Sequence, residues 1–269
     1  MLFKHIIRNI IVGIIIITCL SSLSCKRQGQ SNNVAHKQAV EAIEEYGGFV
    51  ILDEKGDVNR VSLVYNEDAS GNRMECTEIS DRVLKYLPAL PETRELLIHS
   101  SQATDEAMTY ISKLTNLKML LMWDASELTD AGIAHLTSLI NLKNIHINDS
   151  QITDESLLYL SKLKLLEGIS LQQNNFTDKG LAYLVEMPNL KSLWIGLGKG
   201  EITDEGVHYL SKLTNLEVLD LQRTNISDAA MKELVNLKKL HKLYLNHTGI
   251  SDQAIEQLKE AIPELEVNL

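Results

Sequence analysis

Along most of the chain the apolar residues follow a unit that changes period halfway through. In the copy from Leu142 to Leu165, LKNIHINDSQITDESLLYLSKLKL, Leu142, Ile145 and Ile147 stand against Asn144, His146 and Asn148. That alternation predicts a short strand with one apolar face and one wet face. Leu157, Leu160 and Leu163 then recur every three residues, the spacing of an apolar stripe on a short helix. Between strand and helix stands Ile152-Thr153-Asp154. Thr153 is expected to cap free backbone N–H groups, Asp154 lies in the positive first turn, and Ile152 can staple onto Leu157.

The unit recurs eight times. Its helix entrances are Ser80-Asp81, Thr104-Asp105, Thr129-Asp130, Thr153-Asp154, Thr177-Asp178, Thr203-Asp204, Ser227-Asp228 and Ser251-Asp252, spaced 24 to 26 residues apart. A period of that size predicts a solenoid. One unit alone leaves its apolar faces in water, so the ~1.5–3 kcal/mol available per buried aliphatic side chain is realised only by stacking. The array from residue 58 to 269 therefore reads as one quasi-linear domain, and both of its ends need caps. At the first end, residues 35 to 57, an amphipathic helix over His36–Tyr46 breaks at Gly47-Gly48, and a hairpin follows with Phe49 to Leu52 as its first strand and Glu54-Lys55-Gly56-Asp57 as its turn. Val58, Val61 and Leu63 already have the repeat's strand spacing, and Tyr65 to Thr77 forms a longer polar connection. At the other end Leu265, Val267 and Leu269 alternate after Pro263 as a terminal strand. The expected architecture is α/β, with about nine parallel strands and about eight short helices.

The Leu-x-x-Leu-x-Leu strand followed by Ile-Thr-Asp or Ile-Ser-Asp, as in Leu216 to Asp228, and the Asp130-Ala131-Gly132-Ile133 continuation resemble the leucine-rich repeat family over about three-quarters of the chain. The Thr-Asp form is similar to the F-box-like, cysteine-containing repeat type and to exported bacterial lipoproteins of planctomycete type. The Ala39 to Val64 region resembles the helix, Gly-Gly and hairpin with which such proteins begin. The resemblance implies a horseshoe with its sheet on the concave face and its helices on the convex face. It also implies a non-enzymatic scaffold without a cofactor, which binds macromolecules through the sheet.

Hydrophobic residues make up 44% of the chain but aromatic ones only 5%, so the core has to be filled by leucine and isoleucine. The formal net charge is −10; because residues 1 to 25 hold Lys4 and Arg8 and no acid, the remainder carries −12. That balance argues against nucleic acid as a partner.

Lys4 and Arg8 precede the apolar run Ile10 to Leu20, and Ser21-Ser22-Leu23-Ser24 leads to Cys25. The layout is that of a signal peptide. It resembles the bacterial lipoprotein signal, with Ser22 where that signal usually has leucine, and the resemblance makes Cys25 the lipid attachment residue. An uncleaved anchor over Ile10 to Leu23 is the alternative, although it is shorter than the ~20 apolar residues a spanning helix needs. Residues 26 to 34 would be a flexible tether, and the folded body would be exported to the bacterial cell envelope. Cys76 reads as a packing residue.

Strand register lays out the ligand face. The first outward position is Ser62, Leu97, Leu121, His146, Ser170, Trp194, Asp220 and Tyr244 in successive copies, and Trp123 and His99 stand at the second. Leu97, Met119, Leu121 and Trp123 predict an apolar patch with His99 and His146 at its margins, while Trp194 and Tyr244 stand farther along. These eight are the candidate binding residues for a protein or glycan partner. The alternatives are that the 65–77 loop covers the patch, or that the chain is a structural envelope protein that assembles through its convex helices. His99 and His146 lie two strands apart, about 10 Å, too far to share a metal. Gly196-Leu197-Gly198-Lys199-Gly200 lacks the Ser or Thr of a phosphate loop and reads as an insertion in its repeat.

Overall fold

The computed structural model describes residues 34–64, 66–67, 73–74, 79–99, 102–198 and 200–269. Cys25, the apolar N-terminal run, Cys76 and most of the 65–77 loop lie outside the described residues. The chain enters through helix α1 (Val34–Glu45), which buries Ala39 and Ile43, and then forms the hairpin β1 (Phe49–Leu52) and β2 (Val58–Leu63). Its turn is tight because Asp53 accepts the backbone N–H of Lys55 and of Asp57, and Gly56 supplies a φ of 86°. A small ribbon, β3 (Asn66–Glu67) with β4 (Arg73–Met74), follows in the connection.

From there strand and helix alternate. The strands are β5 (Glu95–His99), β6 (Met119–Trp123), β7 (Asn144–Ile147), β8 (Gly168–Ser170), β9 (Ser192–Trp194), β10 (Val218–Asp220), β11 (Lys242–Tyr244) and β12 (Glu266–Asn268). The helices are α2 (Asp81–Leu84), α3 (Asp105–Ile111), α4 (Asp130–His135), α5 (Asp154–Leu160), α6 (Asp178–Leu184), α7 (Asp204–Leu210), α8 (Asp228–Leu234) and α9 (Asp252–Ala261). The sheet runs β1-β2-β5-β6-β7-β8-β9-β10-β11-β12, antiparallel only at the first pair. The described residues thus hold nine parallel strands and eight repeat helices, the numbers the periodicity predicts.

The core is a continuous aliphatic column between sheet and helices. In the central copy Ile147, Leu157, Leu160 and Leu163 are all buried, as are their counterparts in neighbouring copies. Among the described residues Phe176 is the one fully buried aromatic side chain of this core.

The Thr-Asp pair does more than start a helix. Each aspartate accepts two hydrogen bonds from the next repeat, one from the backbone N–H and one from the hydroxyl of its Thr or Ser. Asp105 holds Thr129 at 2.9 and 2.6 Å, Asp154 holds Thr177 at 2.7 and 2.6 Å, and Asp178 holds Thr203 at 2.8 and 2.7 Å. The same pairing joins Asp81 to Thr104, Asp130 to Thr153, Asp204 to Ser227 and Asp228 to Ser251. Seven such clamps connect eight helices. They correct the expectation for Thr153: its side chain makes no cap and only donates its hydroxyl proton to Asp130, as Thr177 does to Asp154. Elsewhere the hydroxyl does both, donating back to the aspartate and accepting from the helix, as at Thr104, Thr129, Thr203 and Ser227.

In four copies the residue two places after the aspartate, Gly132, Ser156, Gly180 or Gly206, faces the aspartate of the preceding repeat. A Cβ on Gly180 or Gly206 would stand 2.3 Å from Asp154 Oδ1 or Asp178 Oδ1. In the copy between α4 and α5 that position is Ser156, whose own N–H and hydroxyl both donate to Asp130.

After each of the strands β6 to β11 the chain turns through a left-handed residue. Asp124, Asp149, Gln173, Leu197, Arg223 and His247 all have φ between 56 and 66°. The N–H groups of Asp149, Leu197 and Arg223 reach the carbonyls of Gln172, Gln222 and Asn246 in the following repeat at 3.1, 2.8 and 2.9 Å, which offsets part of the strain.

Candidate functional site

Register aligns Leu97, Leu121 and His146 on adjacent strands, then Ser170, Trp194, Asp220 and Tyr244. The sheet face opposite the helices is therefore one surface, as the alternation predicts. Its wetness is overestimated by the alternation. Leu97 and His146 are each only 5% exposed, Asn148 is 8% exposed and Asp220 is fully buried, whereas Met119, Leu121, Trp123, His99, Trp194 and Tyr244 are half-buried.

Two aromatic contacts account for much of this. At the N-terminal half the Trp123 ring leans onto His146 of the next strand, with ring centroids 5.2 Å apart and an interplanar angle of 51°. His146 is thereby a buried element of the patch and not its margin. Burial pushes its imidazole down to about 4, so it is neutral at pH 7, and its Nε2 has no hydrogen-bond partner. Met119, Leu121 and Trp123 share β6, so the predicted apolar patch is continuous from β5 to β7.

Farther along, Trp194 and Tyr244 meet over β10. Their strands are two places apart, about 9.6 Å at the usual spacing, yet their ring centroids are 4.8 Å apart. The rings converge over Asp220, which stands between them in register. Beneath them lies a polar cluster that strand alternation gives no reason to expect. Gln172 Nε2 donates to Asp220 Oδ2, the backbone N–H of Gln222 donates to Asp220 Oδ1 at 2.9 Å, and the Gln222 side chain also bonds the carboxylate. Gln172 reaches Asp220 across the intervening repeat because that repeat has Gly196 at the second outward position. A Cβ there would lie 2.8 Å from Asp220 Oδ1 and 2.7 Å from the Gln222 nitrogen. Burial raises the Asp220 carboxyl above the usual range, and Gln222, 4% exposed, has an Oε1 without a partner. Tyr244 reports the same proximity, since burial and then the Asp220 charge raise its phenol.

On the second row Asn148 Oδ1 accepts the Gln172 N–H at 3.0 Å, and Asn174 Oδ1 accepts the N–H and hydroxyl of Ser150 at 2.9 and 2.6 Å. These side chains fasten strand ends to one another. At the strand starts Glu167 bridges Lys143 and Lys191, each at 2.8 Å, and those two ammonium groups hold its carboxyl down at about 2.

No group of three or more His, Cys, Asp or Glu side chains among the described residues could hold a metal ion, and no described helix is long and apolar enough to cross a membrane. Gly198 and Gly200 stand close against the backbone of the preceding repeat, where a Cβ on Gly200 would overlap the Phe176 carbonyl.

A family profile described as Leucine Rich repeat matches residues 212–235, one strand and one helix of the array. No curated protein sequence matches the chain. Among solved structures it is similar to an internalin from Listeria monocytogenes, at 21% identity and a TM-score of 0.58 over 68% of this chain and 49% of the internalin. It is also similar to the ectodomain of the plant membrane receptor kinase GASSHO1/SCHENGEN3 from Arabidopsis thaliana, at 17% identity and a TM-score of 0.51 over 81% of this chain and 25% of the receptor. A third likeness is to the plant peptide hormone receptor RGFR1, at 18% identity and a TM-score of 0.52 over 82% of this chain and 36% of that one. The chain thus spans half the length of the internalin or less of these proteins. The profile and these neighbours support the leucine-rich repeat family, and the fold of this chain is a leucine-rich repeat solenoid.

Proposed function

We propose that the protein is a membrane-anchored binding scaffold that captures a protein partner through the sheet face opposite its helices. One observation carries this reading: both tryptophans of the chain lie half-buried on that face, and each leans onto another ring. Half-exposed aromatic side chains fixed on a rigid sheet supply contact area at little entropic cost, which is the usual make-up of an interface hot spot. The fold commonly mediates protein–protein interaction, and two of the similar structures are receptors seen in complex with a named partner. A glycan is the other ligand class that aromatic platforms accept.

The tether belongs to the same proposal. Export, lipid attachment at Cys25 and residence in a bacterial cell envelope rest on the sequence of the first 25 residues. Fractionation tests it: Cys25→Ser should move the protein from the membrane pellet to the soluble fraction, and retention in the pellet would remove the lipid from the account.

The binding face is tested by capturing partners with the wild-type chain and with a Trp123→Ala/Trp194→Ala variant of unchanged circular dichroism. A partner held by the wild type and lost by the variant supports the face. A partner held equally by both transfers the function to the helical side, where Leu158, Tyr183 and Val185 are each 38% exposed and an assembly role would place its contacts.

A further inference from the structure

The cluster under Trp194 and Tyr244 links the β8 repeat to the β10 repeat, but it does so with a buried charge. Asp220 is fully buried, and the partners of its carboxyl are neutral amides from Gln172 and Gln222. Gln222 Oε1, almost completely buried beside it, is an acceptor with nothing to accept. A buried carboxylate without a cation and an acceptor without a donor are both unfavourable, and neighbouring repeats show that the position tolerates hydroxyls and apolar groups, Ser170 and Leu121 among them. What the cluster lacks is a positively charged donor. Its roof consists of two aromatic rings, whose faces attract cations, and the body around it carries a net charge of −12.

We propose that this cluster is a subsite for an arginine side chain of the protein partner, with the guanidinium lying against Trp194 and Tyr244 and donating to Asp220 and Gln222 Oε1. Arginine fits better than lysine because its planar fork can stack on an indole face while presenting parallel N–H groups to a carboxylate and a neighbouring amide oxygen. The rings now stand 4.8 Å apart. A planar group between them needs about 7 Å, two stacking distances of ~3.5 Å, so the half-buried Trp194 side chain must swing aside by about 2 Å as the ligand enters. Gly196, with no side chain at the second outward position, lets the Asp220 carboxylate and the Gln222 backbone pack directly against β9. The subsite rests on the sheet-face reading above, and its test is independent of any natural partner.

The chain has only two tryptophans, so two indole N–H resonances report the two ends of the face separately. The full chain would be titrated with N-acetyl-arginine-N-methylamide and, in parallel, with the citrulline analogue, which keeps the shape and loses the charge. The expected result is a saturable shift of the Trp194 resonance with the arginine probe, weaker by tenfold or more with citrulline, while Trp123 stays in place. Asp220→Asn should abolish the difference between the probes. That variant is expected to fold, because an asparagine oxygen still accepts the Gln222 N–H and the Gln172 amide can turn its oxygen to the new NH2. Equal shifts from both probes, a larger shift at Trp123, or no shift at Trp194 would each overturn the subsite. Loss of the subsite with partner capture still dependent on Trp123 would leave the sheet-face reading standing; loss of both would end that reading too.

Discussion

Asp130 accepts four hydrogen bonds from the following repeat, two from Thr153 and two from Ser156, so one carboxylate fixes both the entrance and the first turn of the next helix. Removing it leaves two backbone N–H groups and two hydroxyls facing the vacated space. Hydrogen bonds to a charged group contribute about 1.5–3 kcal/mol each, and those lost here share one acceptor. Asp130→Ala is therefore expected to destabilise the fold by about 3 kcal/mol, measured by urea unfolding. Asp228→Ala, at the exposed end of the array, should cost clearly less.

Two glycines that look equally crowded should respond in opposite ways. A Cβ on Gly206 would meet the tip of the Asp178 side chain, which can shift, as Asp130 does for Ser156. Gly206→Ser should thus stay within about 1 kcal/mol of the wild type, helped by the recovery of helix propensity. A Cβ on Gly196 would meet the backbone N and O of Gln222. Backbone cannot step aside, so Gly196→Ala should cost about 1–3 kcal/mol. Paired thermal melts decide both.

Leu197 has a φ of 66°, a conformation that costs a branched hydrophobic residue about 1–2 kcal/mol. Leu197→Gly removes that strain and leaves the hydrogen bond from its N–H to the Gln222 carbonyl intact. A stabilisation of about 0.5–1 kcal/mol is expected, after the entropy glycine adds to the unfolded chain. A fall in melting temperature would mean that the Leu197 side chain contributes more packing than its half-buried position suggests.

His146 makes stability depend on pH. Its folded pKa is about 4 against 6.5 for the free side chain, because burial disfavours the imidazolium. The unfolded chain therefore binds the extra proton first as the solution is acidified. Stability is unaffected above pH 6.5, falls as pH drops from 6.5 to about 4, and then levels off for this group. The full difference is roughly 3 kcal/mol. His146→Phe should remove that slope from a set of urea titrations. Glu167 acts lower on the scale: with a folded pKa of about 2, its contribution is present above about 4.5 and is lost on going from there towards 2. Its exposed lysine partners keep that effect small.

Asp220 has the opposite sign to Glu167. Burial raises its folded pKa above the ordinary value of 3.8, so the folded state holds the proton more tightly and loses stability as pH rises past 3.8. Asp220→Asn, which has no charge to bury, is expected to be at least as stable as the wild type at pH 7. A less stable Asn variant would show that the charge is compensated in the free protein and would weaken the case for a missing cation.

The sequence makes the repeat legible because burial there is local and periodic: Ile145, Ile147, Leu157 and Leu160 reveal their side of the element by spacing alone. The terminal hairpin and the strand count follow from the same spacing. What stays hidden is whatever joins one repeat to the next. Thr153 and Asp154 look like a helix cap when read within one copy, and only the stacking shows that Thr153 serves Asp130 while Asp154 waits for Thr177. The candidate binding residues follow the same division. Alternation places Leu121, Trp123, Trp194 and Tyr244 on the correct face, but it carries no information on which rings lean over which neighbours. The burial of His146 and the cluster around Asp220, Gln172 and Gln222 therefore escape it.

The aspartate clamps run along the helical side while the backbone ladder of the sheet runs along the other. A repeat cannot tilt against its neighbour without stretching one of these two rails, so the distance between the Trp123 and Trp194 ends of the face is set before any partner arrives. A flexible partner would have to match that interval, and a rigid one whose contacts are spaced differently would be refused. Selectivity would then reside in length as much as in chemistry. Inserting or deleting one whole repeat between β6 and β9, with every contact residue preserved, would alter what the protein recognises.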